Sequence, residues 1–157
     1  MKKIIILFLI FSGVVFAKWE VGTAYTTDGD PLTTFITYDL EEGVSSIGIG
    51  VNVDSLGSSA IVIFHKDIGK GDNLVLIVTD NDGNDVTCGF YEDDIKKYHV
   101  DVRSDRSTVL TKMLYNGKSA KLMKNFKPIA TFDLSGIKQV MKKHVGSSYW
   151  YKYKLND

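Results

Sequence analysis

The chain has 157 residues, with 19 basic and 19 acidic side chains, 8 Phe, 8 Tyr and a single cysteine, Cys88. That length suits one domain with a sizeable core, and the even charge balance lacks the basic excess of a general nucleic-acid binder. With one cysteine no internal disulfide can form, so packing alone must hold the fold.

The chain opens with Lys2 and Lys3, an apolar run over 4–11, a Ser12-Gly13 break, and Val15-Phe16-Ala17 before Lys18. A positive start, a short apolar stretch and small residues at the end form the pattern of a secretory signal peptide. Residues 1–17 are therefore expected to be a leader cut after Ala17, and 18–157 a single exported domain, periplasmic or secreted. The apolar run is too short for a membrane span and no second one follows. No transmembrane segment is expected once the leader is gone. Without the two leader lysines, 17 basic residues face 19 acidic ones. That balance supplies no polybasic patch for lipid.

Beyond the leader, strands are predicted at 35–38 and 46–54. In the second, Ile47, Ile49, Val51 and Val53 alternate with Gly48, Gly50, Asn52 and Asp54, the period of a half-buried strand. Runs at 60–64 and 74–78, rich in Ile and Val, suit strands buried on both faces. Further strands are predicted at 86–91, 98–103, 109–114 and 129–132. A short helix is a candidate at 119–126. Leu134, Ile137, Val140, Met141 and Val145 fall at helical spacing, with Lys138, Lys142 and Lys143 on the wet side, so 134–145 reads as an amphipathic helix. Asp133 or Ser135 can cap its start and Gly146 its end. The fold class is mainly β (α+β). It is a single β-sandwich-like or curved antiparallel sheet domain with that C-terminal helix packed on it.

The densest oxygen cluster runs from Asp80 to Asp85. Asp80, Asp82 and Asn84 match the first ligand positions of a calcium loop, but Asp85 stands where Gly is needed and Tyr91 where Glu is needed. A hairpin tip turning at Asp82-Gly83 is the favoured reading, with calcium at Asp80, Asp82 and Asn84 as the weaker one. His99, Asp101 and Arg103 alternate with Val100 and Val102 and so share one strand face. His99 and Asp101 could carry acid–base work, but no nucleophile accompanies them, and a compensated charged surface is favoured. Gly48-Ile49-Gly50 has neither the lysine nor the helix of a phosphate loop, and outward strand glycines more often allow close backbone approach or a bulge. Cys88 is read as a small buried hydrophobe beside Phe90 in preference to an exposed thiol. Tyr149, Trp150, Tyr151 and Tyr153 form an aromatic tail, for which a terminal strand is the favoured reading and a partner-binding strip the alternative. No catalytic or metal motif of high specificity and no cofactor signature is present.

Three segments occur in a suggestive order: Trp19 followed by Asp30-Pro31-Leu32-Thr33; residues 73–78 through Asp82-Gly83 to Val100-Asp101-Val102-Arg103-Ser104-Asp105; and Ala130-Thr131-Phe132-Asp133-Leu134-Ser135-Gly136-Ile137. This layout resembles the exported domain of the invasion-associated locus B family and of the periplasmic accessory proteins of type VI secretion. Those families often carry a cysteine in the central strand and another after the C-terminal helix. Here Ile77-Val78-Thr79 and residues 144–148 carry none, which implies a divergent member without that disulfide. The resemblance implies envelope, secretion or host-interaction roles and brings no catalytic residues. The leading expectation is a non-enzymatic exported domain that binds another envelope or secreted protein. The alternative is a barrel-like binder of a small apolar ligand, and a hydrolase built on His99 and Asp101 ranks third.

Overall fold

The computed structural model describes residues 19–41, 44–52 and 58–145. Their elements run β1 (Glu20–Tyr25), β2 (Pro31–Tyr38), β3 (Ser46–Val51), β4 (Ser58–Phe64), β5 (Leu74–Asp80), β6 (Asp85–Gly89), β7 (Ile95–Lys96) and β8 (His99–Arg103). Then follow α1 (Ser104–Asn116), β9 (Gly117–Lys124), β10 (Lys127–Asp133) and α2 (Ile137–Val145). The strands form two antiparallel sheets, ordered β1-β2-β3-β4-β8-β7 and β10-β9-β5-β6. The fold is mainly β and sandwich-like, as the alternation predicts.

Period-two patterning sets the inward faces. Ile47, Ile49 and Val51 of β3 meet Ile61 and Ile63 of β4, which in turn adjoin Val100 and Val102 of β8. The second sheet contributes Leu74, Leu76, Val78, Leu122 and Phe132 to the same cluster. Each such side chain stabilises the fold by about 1.5–3 kcal/mol on full burial. Helix α1 packs chiefly on β4 and also touches β5 and β9, while α2 reaches β2 and α1.

The sheets are joined along the outer edge of β10. Asp39, just past β2, forms an isolated antiparallel bridge with Phe132, and the Leu40 N–H donates to Thr131 O at 2.9 Å. His65, just past β4 and buried, accepts the Asp67 N–H on Nδ1 at 3.0 Å. Its ring proton therefore sits on Nε2, which donates to Ile129 O at 3.1 Å. Near the end of β10, the Trp19 indole N–H donates to Ser135 O at 3.2 Å.

Several predicted elements are corrected. Residues 109–114 are not a strand but lie in α1, because Ser107, Leu110, Thr111 and Leu114 form a buried face at helical spacing while Val109 is exposed. Residues 119–126 are not a helix. They fall in β9, which pairs with both β5 and β10, and in a turn where Asn125 and Phe126 take φ of 48° and 67°. The C-terminal helix begins at Ile137 and not at Leu134, since Asp133 Oδ1 accepts the Ser135 N–H in a turn closed by Gly136 at φ 85°. The runs at 60–64 and 74–78 are apolar on both faces but fully buried on only one. On the other, Ala60 is buried, Val62, Val75 and Ile77 are half-buried and Phe64 is exposed. Strand β1 was not expected, and β2 begins at Pro31. The leader, Val53, Asp54, Gly146 and the aromatic tail lie outside the described residues.

One glycine is sterically required. Gly117 passes α1 directly into β9, and a Cβ there would stand 2.5 Å from Val78 Cγ1 and 2.7 Å from Leu134 Cδ1. Gly117→Ala is expected to destabilise the domain by about 1–3 kcal/mol through overpacking, read as a lowered midpoint in urea unfolding at unchanged slope.

Candidate functional site

Once the inward face of the first sheet is committed to the core, the outward residues are fixed by register. Three rungs follow from the pairing: Tyr38, Ser46, Phe64 and His99; then Ile36, Gly48, Val62 and Asp101; then Thr34, Gly50, Ala60 and Arg103. Bulk is missing along β3 and at Ala60, where the floor is Gly48, Gly50 and Ala60. Taller side chains stand on both sides, Leu32 and Ile36 on β2, Val62 and Phe64 on β4, and the charged row on β8. The result is a trough of about 360 Å³. This lies in the range of small-ligand sites, which are apolar cavities with a few placed polar groups.

The trough is not even along its length. At the Gly50–Ala60 end, Leu32 and Thr34 are buried although they face outward, whereas Tyr38 and Phe64 at the other end are exposed. The Thr34 hydroxyl oxygen is buried and has no hydrogen-bond partner among the described residues. At Gly48 the trough is bounded by β2 and β4, two strand spacings or about 9.5 Å apart, which leaves room for one slim apolar group.

Glycine at 48 answers no backbone need. Its φ is not positive, and a Cβ would meet nothing closer than Val62 O at 3.8 Å and Ile36 Cγ1 at 3.9 Å, ordinary contacts. The close backbone approach expected from the sequence is therefore absent at Gly48. Gly50 does adjoin a register shift, between itself and Val51.

His99, Asp101 and Arg103 share the outward face of β8, as the alternation predicts, and all three line the trough. They do not form a His–Asp pair. The Asp101 carboxylate is taken on both oxygens by Arg103, Oδ1 by Nε and Oδ2 by Nη2. With its carboxylate thus engaged, Asp101 forms a charge-compensated clamp with Arg103 and no acid–base pair with His99.

The other candidates lie elsewhere. Asp80, Asp82 and Asn84 sit at the tip of the β5–β6 hairpin, where Gly83 takes φ 84°. Asp80 Oδ1 accepts the N–H groups of Asp82 and Asn84, both at 2.8 Å, and Oδ2 accepts Asn84 Nδ2 at 3.1 Å. Both carboxylate oxygens are thus engaged within the turn. Among the described residues no group of three or more His, Cys, Asp or Glu is placed to hold a metal ion. Cys88 is half-buried and packs against the core with Phe90. Burial raises its thiol pKa; nearby Arg106 lowers it and Asp94 raises it further. Arg106 itself pairs with Asp94 and stacks 3.9 Å from the Tyr91 ring. The thiol is thus held away from the reactive thiolate form. No described helix is long and apolar enough to cross a membrane.

The hairpin tip yields a pH prediction. Hydrogen bonds from the Asn84 side chain, then from the Asn84 and Asp82 backbone, hold the Asp80 carboxyl below its ordinary range. The ionised form is therefore favoured in the folded chain. Its contribution is present above the unfolded value and is lost as pH falls through the folded one. The amide resonances of Asp82 and Asn84 are expected to move together in an NMR titration, at a pH below that of an ordinary aspartate. Millimolar calcium should leave them in place.

No family model, no curated protein and no solved structure matches this chain.

Proposed function

We propose that the protein is a non-catalytic binding domain, exported across the inner membrane, whose ligand is a small, largely apolar molecule held in the trough of the first sheet. The observation that carries this reading is Gly48. A glycine inside a strand costs about 0.5–1 kcal/mol relative to alanine. Here neither a left-handed φ nor a close neighbour calls for it. What its missing side chain does create is an open floor between Ile36 and Val62.

The leader pattern over residues 1–17 supports export. The resemblance to the invasion-associated locus B family and the type VI secretion accessory proteins supports an envelope or secreted role. The protein-partner reading rests on the leader, the single β-rich domain, the lack of catalytic motifs and the resemblance. Its candidate contact strip, Tyr149, Trp150, Tyr151 and Tyr153, lies outside the described residues. The trough has described walls, floor and polar groups, and it favours the small-ligand alternative. Asp101 engaged by Arg103 weighs against hydrolysis at His99.

Gly48→Val tests the reading because it separates binding from folding. Valine suits a strand, and its methyl groups would project into the trough. The variant is expected to keep or raise the melting temperature and to bind the neutral apolar dye Nile red at least about tenfold more weakly than the parent, a loss of roughly 1.4 kcal/mol. A folded variant that binds the dye as the parent does would remove the trough as the site.

A further inference from the structure

We propose that the ligand is an uncharged amphiphile, a slim apolar body ending in a hydroxyl or carbonyl oxygen, with that oxygen on the Gly50–Ala60 rung. The inference rests on the trough being the ligand site and adds the chemistry of its occupant.

Two polar groups stand at that rung, one on each side. Thr34 is 7 % exposed, and its hydroxyl oxygen has no partner among the described residues. It lies between Gly22 and Gly50 in the register, so neither neighbouring side chain can satisfy it. A buried hydroxyl without a partner is unfavourable, and a ligand oxygen would relieve it. On the far side, Asp101 occupies Arg103 Nε and Nη2 and leaves the Nη1 donors unengaged among the described residues. The end of the trough therefore offers a hydroxyl and spare N–H donors.

Charge then selects among ligands that carry oxygen. Asp101 cancels the guanidinium, so a carboxylate seated there would meet the Asp101 charge and would lose its own hydration without net compensation. An ammonium group would face Arg103. A hydroxyl or carbonyl oxygen can accept from Arg103 Nη1 or exchange a hydrogen bond with Thr34 and forfeits little on leaving water. The body of such a ligand lies over Gly48 against Ile36, Val62 and Phe64, where the lining is apolar.

Displacement of Nile red by 1-decanol and by decanoate, at about pH 8 where decanoate is ionised, tests the assignment. On the parent protein decanol is expected to displace the dye at a concentration at least about tenfold lower than decanoate. Asp101→Asn removes the balancing charge and frees Arg103, so decanoate should gain about tenfold while decanol changes little. Thr34→Val keeps the shape and deletes the unpartnered hydroxyl. It should raise the melting temperature and weaken decanol several-fold. Decanoate binding the parent as tightly as decanol, or Asp101→Asn leaving the ratio where it was, overturns the proposal. If the dye binds but neither compound displaces it, the amphiphile assignment falls while the trough stands. If the dye does not bind the parent at all, both fall.

Discussion

The outer edge of β10 is the line on which this structure depends. A sheet edge presents unpaired N–H and C=O groups, and this one would face water or another chain if left open. Instead Leu40 donates to Thr131 O, Asp39 bridges Phe132, and the buried His65 ring donates to Ile129 O. Those contacts come from the ends of β2 and β4, which belong to the other sheet. The same hydrogen bonds thus close one sheet's edge and hold the two sheets together. With no disulfide to share that task, the apolar cluster between Phe35, Ile49, Leu76, Phe132 and Met141 relies on this seam for its enclosure.

Fixing the inside of the first sheet also fixes its outside. Because side chains alternate, a strand that sends Ile47, Ile49 and Val51 inward must present Ser46, Gly48 and Gly50 outward. The trough follows from which strands stand beside β3. It needs β2 to bring Leu32, Thr34 and Ile36, and β4 to bring Ala60, Val62 and Phe64. The charged row on β8 is set one strand further, beyond β4. Among the described residues, the shape and chemistry lining this face follow from register.

Strands with clean alternation were legible in the chain itself. Strand β3 and the shared face of His99, Asp101 and Arg103 could be read from period two alone. Helix α1 could not, for two reasons. Val109, Leu110 and Thr111 look like a strand, and part of the buried helical face is polar. Thr111 Oγ1 bonds back to Ser107 O at 2.7 Å, so small hydroxyl residues fill positions where a helix would ordinarily show Leu or Ile. Strand β9 failed in the opposite sense. Lys, Ala, Leu and Met favour a helix, but strand pairing on both sides overrides that preference. Its turn at Asn125 and Phe126 was hidden because phenylalanine rarely adopts a positive φ. The trough was half legible. Outward glycines were visible in the sequence, but the vacant floor exists only once distant segments stand beside them, and the Asp101–Arg103 clamp needs side-chain geometry.

The two glycines with no left-handed φ that matter most here answer to opposite pressures. At Gly117 any side chain collides with the core, so selection for folding alone would keep it. At Gly48 folding alone would favour replacement, since an added methyl makes only ordinary contacts, with Val62 O and Ile36 Cγ1, and a strand gains from it. A population of sequences drifting under selection for stability only should therefore lose Gly48 early and keep Gly117 throughout. Position 48 becomes a marker that needs no assay. In a relative of this chain, a glycine retained there signals a trough still in use, and a bulky residue there signals a sheet that has become only scaffold.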